Sequence, residues 1–302
     1  MASSSHIKNK KGKQVMEQPK FDEERFKSHF HQLQFTGWMI KKEAVPEAIF
    51  KLENDFPAMS EEIHKRRWEV LCDPPTWVSL RMVQKFYANA VRENEDDQPF
   101  KSYVRGVEVD FSPKSIRKAL KIKPRAFEQA SYEERLHHDP QLEDVASDIC
   151  MIGTDWKRNS KGRPRQLRRG DLISEVKGWY EFVRRLINPT SNTSEVTINR
   201  AIMVHCIMKG RAIDVPEIVA ASIQDISKKN DEGARLGHPS IIHRLCERAG
   251  MAQRMERKHA KVGGIQEVGE IAKLSSLTSS HSNSYNFSYR DPNDAVLVAL
   301  ES

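Results

Sequence analysis

The sequence predicts a mainly α-helical, multi-helix single domain with one minor β-hairpin and disordered tails at both ends. Helical hydrophobic periods, most of them bounded by start and stop residues, run through the chain from Phe21 to Gly250. A single segment, SYVRGVEVDF, changes to a two-residue period. Both ends are polar, with little to bury.

From the N-terminus, residues 1–20 are Ser- and Lys-rich and read as a disordered basic tail. Phe26, Phe30 and Leu33 then recur at helix spacing, and EEIHKRRWEVL (61–71) and WVSLRMVQKFYANAV (77–91) read as amphipathic helices separated at Pro74-Pro75. In SYVRGVEVDF, Val107 and Val109 alternate with Glu108 and Asp110, and Arg105-Gly106 supplies the turn of a hairpin. Ser112 caps a helix that has Pro113 in its first position. Residues 124–169 are polar, with few anchors beyond Ile149, Ile152 and Trp156.

The second half is the best specified. Leu172, Val176, Trp179, Val183 and Leu186 form one stripe, widened by Ile173 and Tyr180 and closed by Pro189. Asn192 and Glu195 have capping-box spacing and are expected to open the helix VTINRAIMVHCIMKG. That helix is apolar on nearly every side from Ala201 to Met208, as a central core helix would be, and Gly210 ends it as a left-handed cap. Asp214 and Glu217 start the next helix, with Ile218, Val219, Ser222, Ile223 and Ile226 turned inward. The last runs from Pro239 to Gly250. Residues 251–302 read as partly helical, then low-complexity.

Charge is concentrated. The formal net charge is +7, yet the first twenty residues carry +4 and KRNSKGRPRQLRR (157–169) another +7, leaving −4 for the other 269 residues. A body that is mildly acidic with two cationic segments points to local, not global, interaction with an anionic partner. Mean hydropathy is −0.66. The longest aliphatic run, AVLVAL, is far below the roughly 18 residues a membrane span needs, and MASSSHIKNKKGK lacks the apolar region of a secretory signal. Four widely spaced cysteines, Cys72, Cys150, Cys206 and Cys246, read as reduced thiols. The expected location is nuclear or cytoplasmic, without membrane attachment.

Several segments together resemble a known family. RRGDLISEVKGWYEFVRRLINPTSNTSEVTINRAIMVHCIMKG and LGHPSIIHRLCERAG, with KFYANA, YVRGVEVDFSP and GTDW upstream, are similar to the plant-specific "putative plant transposon protein" domain over about residues 21–250. The resemblance implies an open reading frame of mobile-element origin. It carries no catalytic residues with it. The tail after residue 250 does not read as a continuation of a domain, which is consistent with a fragment of a longer element-encoded protein.

Mobile-element origin prompts a search for transposition chemistry. A two-metal nuclease gathers carboxylates on a central sheet; here Asp110 is the one acid on a convincing strand, and Asp144, Asp148, Asp155 and Asp171 fall in no second β-pattern. The competing reading makes them surface acids before helix starts. The best metal constellation is His205, Cys206, His238, His243 and Cys246, whose residue types suit zinc. Its competitor places His205 and Cys206 as ordinary core members and His238 in a cap region. A Cys/His dyad would need an exposed, activated thiolate. No catalytic residue, metal ligand or cofactor is assigned.

The segment that invites a partner is 157–169. Gly162 and Pro164 make it extended and not helical. Lys161-Gly162-Arg163-Pro164-Arg165 resembles an AT-hook core, with lysine where that motif has its first arginine and without the preceding proline. Three readings stand side by side: a solvated loop, a nuclear address, or a DNA or RNA contact through Lys157, Arg158, Lys161, Arg163, Arg165, Arg168 and Arg169. The leading functional reading is a non-enzymatic, mobile-element-derived module contacting nucleic acid or protein. The alternatives are a transposition enzyme with unrecognised catalytic acids and an inactive relic.

Overall fold

A computed structural model describes residues 20–50, 57–75, 78–123, 132–137, 141–231 and 233–251. Both expected tails lie almost wholly outside these residues, as does Trp77. Among the described residues the architecture is mainly helical with two small sheets, of two and three strands.

The N-terminal part begins with α1 (His29–Gly37) and a 3-10 turn at Met39–Lys41. Leu33 is half exposed; the buried side of α1 carries His31, Gln32 and Phe35 instead, with Phe35 packed on Phe26 at 5.2 Å between ring centroids. The expected single helix over 61–71 is two, α2 (Pro57–Arg66) and α3 (Glu69–Cys72). Arg67 takes a left-handed φ of +58° between them. Its amide donates to His64 O at 3.0 Å and the Trp68 amide to Ile63 O at 3.0 Å, the paired bonds of a Schellman ending. The break drives Trp68 into the core, where it stacks on Phe182 at 5.9 Å. No glycine announces it.

Helix α4 (Leu80–Ala90) starts at Ser79, whose hydroxyl accepts from the Met82 amide. Its buried Asn89 ties three segments together: Nδ2 donates to Arg25 O and Tyr103 O, and Oδ1 accepts from the Lys27 amide. The expected hairpin is present as β1 (Lys101–Val104) and β2 (Val107–Asp110), antiparallel with Val104 opposite Val107. Arg105 and Gly106 both have positive φ, which a two-residue turn matching the strand twist requires. Ser112 then caps α5 (Pro113–Ala119) by accepting from the Ser115 amide.

Helices α6 (Tyr132–His137) and α7 (Leu142–Ile149) lead to two strands absent from the sequence reading, β3 (Lys157–Arg158) and β4 (Pro164–Arg168). Next, α8 (Ser174–Phe182) continues through a π-type turn at Val183–Ile187, and its five-residue stripe is fully inside. The expected helix start at residue 192 is also corrected. Asn192 Oδ1 does accept from the Ser194 and Glu195 amides, but the chain then enters a strand, β5 (Glu195–Thr197), and the helix begins only at Ile198. Val196 pairs with Leu167 of β4, and that long-range ladder outweighs the local helical signal.

The remaining helices obey their cap chemistry. Helix α9 (Ile198–Met208) is buried from Ala201 to Ile207, and Gly210 turns the chain at φ +64°. Asp214 caps α10 (Val215–Ser227) by accepting from the Glu217 amide, and α11 (Pro239–Arg248) ends before Gly250 at φ +87°. Helix α9 is packed by α6, α7, α8, β4 and β5, while α4 and α5 pack against α10 and α11. Buried side chains from Phe26 to Met251 form one hydrophobic cluster. Among the described residues no helix is long and apolar enough to cross a membrane.

Candidate nucleic-acid interface

The cationic stretch is a β-hairpin packed on the core, not a free loop. It is extended, as Gly162 and Pro164 require, but paired: Lys157 faces Gln166, Arg158 faces Pro164, and β4 is the middle strand of the sheet β3-β4-β5. Leu167, the lone apolar residue of the stretch, is fully buried against the body. Tyr180 Oη donates to Glu195 O at 2.7 Å and fastens the third strand to α8. The hairpin is therefore held in position by packing.

Asn159 shapes the turn. Its Oδ1 accepts from the amides of Lys161 (2.9 Å) and Arg163 (3.1 Å), and its own amide donates to Arg163 O at 2.9 Å. Gly162 adopts φ +73° at the tip. An AT-hook needs Arg-Gly-Arg stretched along a minor groove. Here the equivalent Lys161-Gly162-Arg163 is bent back and its amides are engaged, so that resemblance does not extend to geometry.

The seven cations divide into two sets. Lys157 lies 3.8 Å from Glu195, Arg158 3.2 Å from Asp155 and 3.5 Å from Glu143, and Arg169 3.0 Å from Glu181. Lys161, Arg163, Arg165 and Arg168 are exposed and form no ion pair among the described residues. The acids beneath them are held ionised. Hydrogen bonds from Asn192 and Gln166 keep the Glu195 carboxyl below its ordinary range. The Trp156 amide, then Arg158, do so for Asp155. For Glu181 burial pushes the other way, but Arg184, Arg169 and Arg185 together outweigh it. The free set is thus confined to the turn and the outer parts of β4.

Three of the candidate catalytic acids, Asp110, Asp148 and Asp155, are engaged apart from one another. Asp110 accepts from the Ser112 amide and the Ser115 hydroxyl at the start of α5. Asp148 accepts from His205 Nε2 at 2.7 Å and pairs with Lys209 at 3.1 Å. Asp155 is bound to Arg158. Among the described residues no group of three or more His, Cys, Asp or Glu side chains is placed to hold a metal ion.

The histidines and cysteines sit where burial governs them. His205 Nδ1 meets Arg135 Nη1 at 2.7 Å, so the ring proton resides on Nε2, facing Asp148. Burial, partly countered by Asp148, holds its pKa below the ordinary value. His238, at the N-cap of α11 with φ +53°, is buried against Ser222 Oγ and pushed down to about 3. All four cysteines are buried thiols; burial pushes those of Cys72 and Cys246 up to about 12 and that of Cys150 to about 11. A thiol so shielded is a poor nucleophile.

The family model described as a putative plant retrotransposon-related domain matches residues 64–252, a span that contains the whole hairpin. The chain belongs to this family. The resemblance read from KFYANA, GTDW and the segments after them is thereby borne out, with a match that begins at His64, where the resemblance began near residue 21. No curated protein and no solved structure matches the chain. Membership in a retrotransposon-related family makes this a transposon-derived protein and assigns no residue a role.

Two features of the interface were missed at the level of sequence. Asn159 as turn clamp was signalled by Asn-Ser-Lys-Gly, a turn-forming composition. Glu181 as the anchor of Arg169 had no signal, because the two meet only through the packing of α8.

Proposed function

We propose that this retrotransposon-related protein is a non-enzymatic module that binds nucleic acid through the β3–β4 hairpin, with Lys161, Arg163, Arg165 and Arg168 neutralising backbone phosphates. The observation that carries the reading is the division of the cations. Four exposed positive side chains share one packed hairpin and form no ion pair among the described residues, while the other three are spent on Glu195, Asp155, Glu143 and Glu181. Cations with no internal role on a pre-positioned element suit contact with a polyanion, and contact to phosphates positions a protein without reading bases.

The absence of an enzymatic role is supported by the employment of the acids. Asp110 accepts from the Ser112 amide and the Ser115 hydroxyl, Asp214 caps α10, Asp148 orients His205, and Asp155 holds Arg158. None belongs to a group of three or more His, Cys, Asp or Glu side chains placed to hold a metal ion among the described residues.

The test is fluorescence anisotropy with labelled duplex DNA and duplex RNA, comparing the full chain with a Lys161→Ala, Arg163→Ala, Arg165→Ala, Arg168→Ala variant. The variant is expected to bind at least about tenfold more weakly at low salt, since each lost phosphate contact removes favourable counterion release. Equal binding by the two proteins would sink the reading.

A further inference from the structure

A cleft of about 180 Å³ opens where the end of α2, the break at Arg67, the end of α5 and the start of α10 meet. We propose that this cleft is a binding site for a small phosphate-bearing anion, separate from the hairpin.

Its charge is one-sided. Lys65, Arg66, Arg67, Arg117 and Lys123 line it, against the single carboxylate of Asp214. That carboxylate is already committed: Oδ2 accepts from Arg117 Nη2 at 2.5 Å, and Oδ1 from the Glu217 amide. Arg66 is also committed, bonded to Glu62 at 2.6 Å and to Arg211 O at 2.8 Å, and its guanidinium lies over the Trp68 ring. These two arginines form a fixed floor. Around the rim, Lys65 reaches Glu62 only at 3.6 Å, and Arg67 and Lys123 are exposed without an ion pair among the described residues. Three cations that share a partly enclosed space repel one another, and a bound anion relieves that repulsion in a setting where water screens less than in bulk.

The backbone adds a second observation. Arg67 occupies the left-handed position of the Schellman ending, where glycine is the unstrained choice. The sequence places an arginine there, and the strained conformation holds that cation on the rim of the cleft. Strain of this kind gathers at ligand sites.

Size and lining set the ligand class. At about 180 Å³ the space is below the roughly 300–1,000 Å³ of pockets that take drug-sized molecules. A phosphate or diphosphate group fits; an entire nucleotide does not need to enter. Ile122, Ile213 and Pro216 supply apolar walls, so the polar contacts come from the cations. The group can be a free anion or the phosphorylated end of a nucleic acid strand.

The experiment titrates the full chain with inorganic pyrophosphate and, separately, with a 5′-phosphorylated dinucleotide and its unphosphorylated form, each monitored by calorimetry. Saturable binding in the range of about 1 mM or tighter is expected for pyrophosphate, for the phosphorylated dinucleotide, or for both; which of them binds identifies the source. The form lacking the 5′-phosphate, which keeps only the single charge of its internal phosphodiester, is expected to bind at least about tenfold more weakly than the phosphorylated one. Arg67→Gly with Lys123→Gln should weaken binding at least tenfold with an unchanged or higher thermal midpoint, because glycine relaxes the left-handed position. Lys123→Gln alone, at an exposed site, gives a second reading of the same loss. The four-alanine hairpin variant should bind as the parent does, so failure of the hairpin reading leaves this one intact. No saturable binding by any phosphorylated probe, or full binding by the double variant, overturns the proposal.

Discussion

Arg169 Nε lies 3.0 Å from Glu181 Oε1, joining the end of the cationic hairpin to a carboxylate whose side chain is 5% exposed. The same carboxylate holds Arg184 at 2.6 Å and Arg185 at 3.1 Å. One buried anion thus serves three cations. It couples the position of β4 to α8 and its π-type turn.

Removing that anion leaves the 7%-exposed Arg184 without its partner inside the core. Glu181→Gln is expected to destabilise the protein by about 3–5 kcal/mol, the usual cost of breaking a buried pair from one side. Urea denaturation checks it. The Glu181 pKa is depressed in the folded state, so its contribution is fully present above the unfolded value near 4.5 and is lost as pH falls through the folded one. The gap between parent and variant should therefore narrow below about pH 4.5.

A second pH effect has the opposite sign. Glu47 turns its carboxyl group inward onto α11, accepting from the Ser240 amide at 3.2 Å and from the Ser240 hydroxyl, and burial pushes its pKa up to about 7. A carboxyl raised in the folded state favours folding when protonated, so stability is lost as pH climbs from about 4.5 to about 7. His238, buried and depressed from 6.5 to about 3, costs stability as pH falls below 6.5. Each slope is at most about 1.4 kcal/mol per pH unit, so the two largely offset between pH 4.5 and 6.5. Glu47→Gln removes one of them. Relative to that variant, the parent should gain about 2–3 kcal/mol between pH 7.5 and 4.5; parallel stability curves would contradict this.

Gly237 is a packing constraint, and Tyr87 Oη donates to its carbonyl at 2.9 Å. A Cβ there would meet Ile226 Cδ1 at 2.9 Å and Pro189 Cγ at 3.0 Å. The isoleucine tip can shift but the proline ring has little room to do so. Gly237→Ala should cost about 1–3 kcal/mol, the range for overpacking a core, measured by chemical denaturation.

The bent turn at Gly162 makes a prediction about sequence preference. An extended hook in a narrow minor groove favours A·T tracts. Phosphate contacts from a hairpin do not. Competition between A·T-rich and G·C-rich duplexes should show affinities within about threefold of each other, because backbone contacts carry no base information.

What could be read from the sequence depended on how local the cause is. Ser112-Pro113, Asp214, Gly210 and Gly250 act within a few residues, and each marks a helix end where expected. Arg105-Gly106 did the same for the first hairpin. The break after α2 was hidden because an arginine fills a glycine's position at residue 67. Asn192 and Glu195 form the hydrogen bonds that their spacing implies, yet the pairing of Val196 with the distant Leu167 turns residues 195–197 into a strand. The candidate site shows the same divide. All seven cations were visible as composition, whereas the commitment of Lys157, Arg158 and Arg169 to acids is a property of the folded chain.

The most direct test of the hairpin as a phosphate-binding element is the salt dependence of duplex DNA binding. The logarithm of the affinity should fall linearly with the logarithm of salt concentration, and the slope should be shallower by about 3–4 in the variant that replaces Lys161, Arg163, Arg165 and Arg168 with alanine. A slope that is the same in the two proteins, or absent in the parent, would contradict the account.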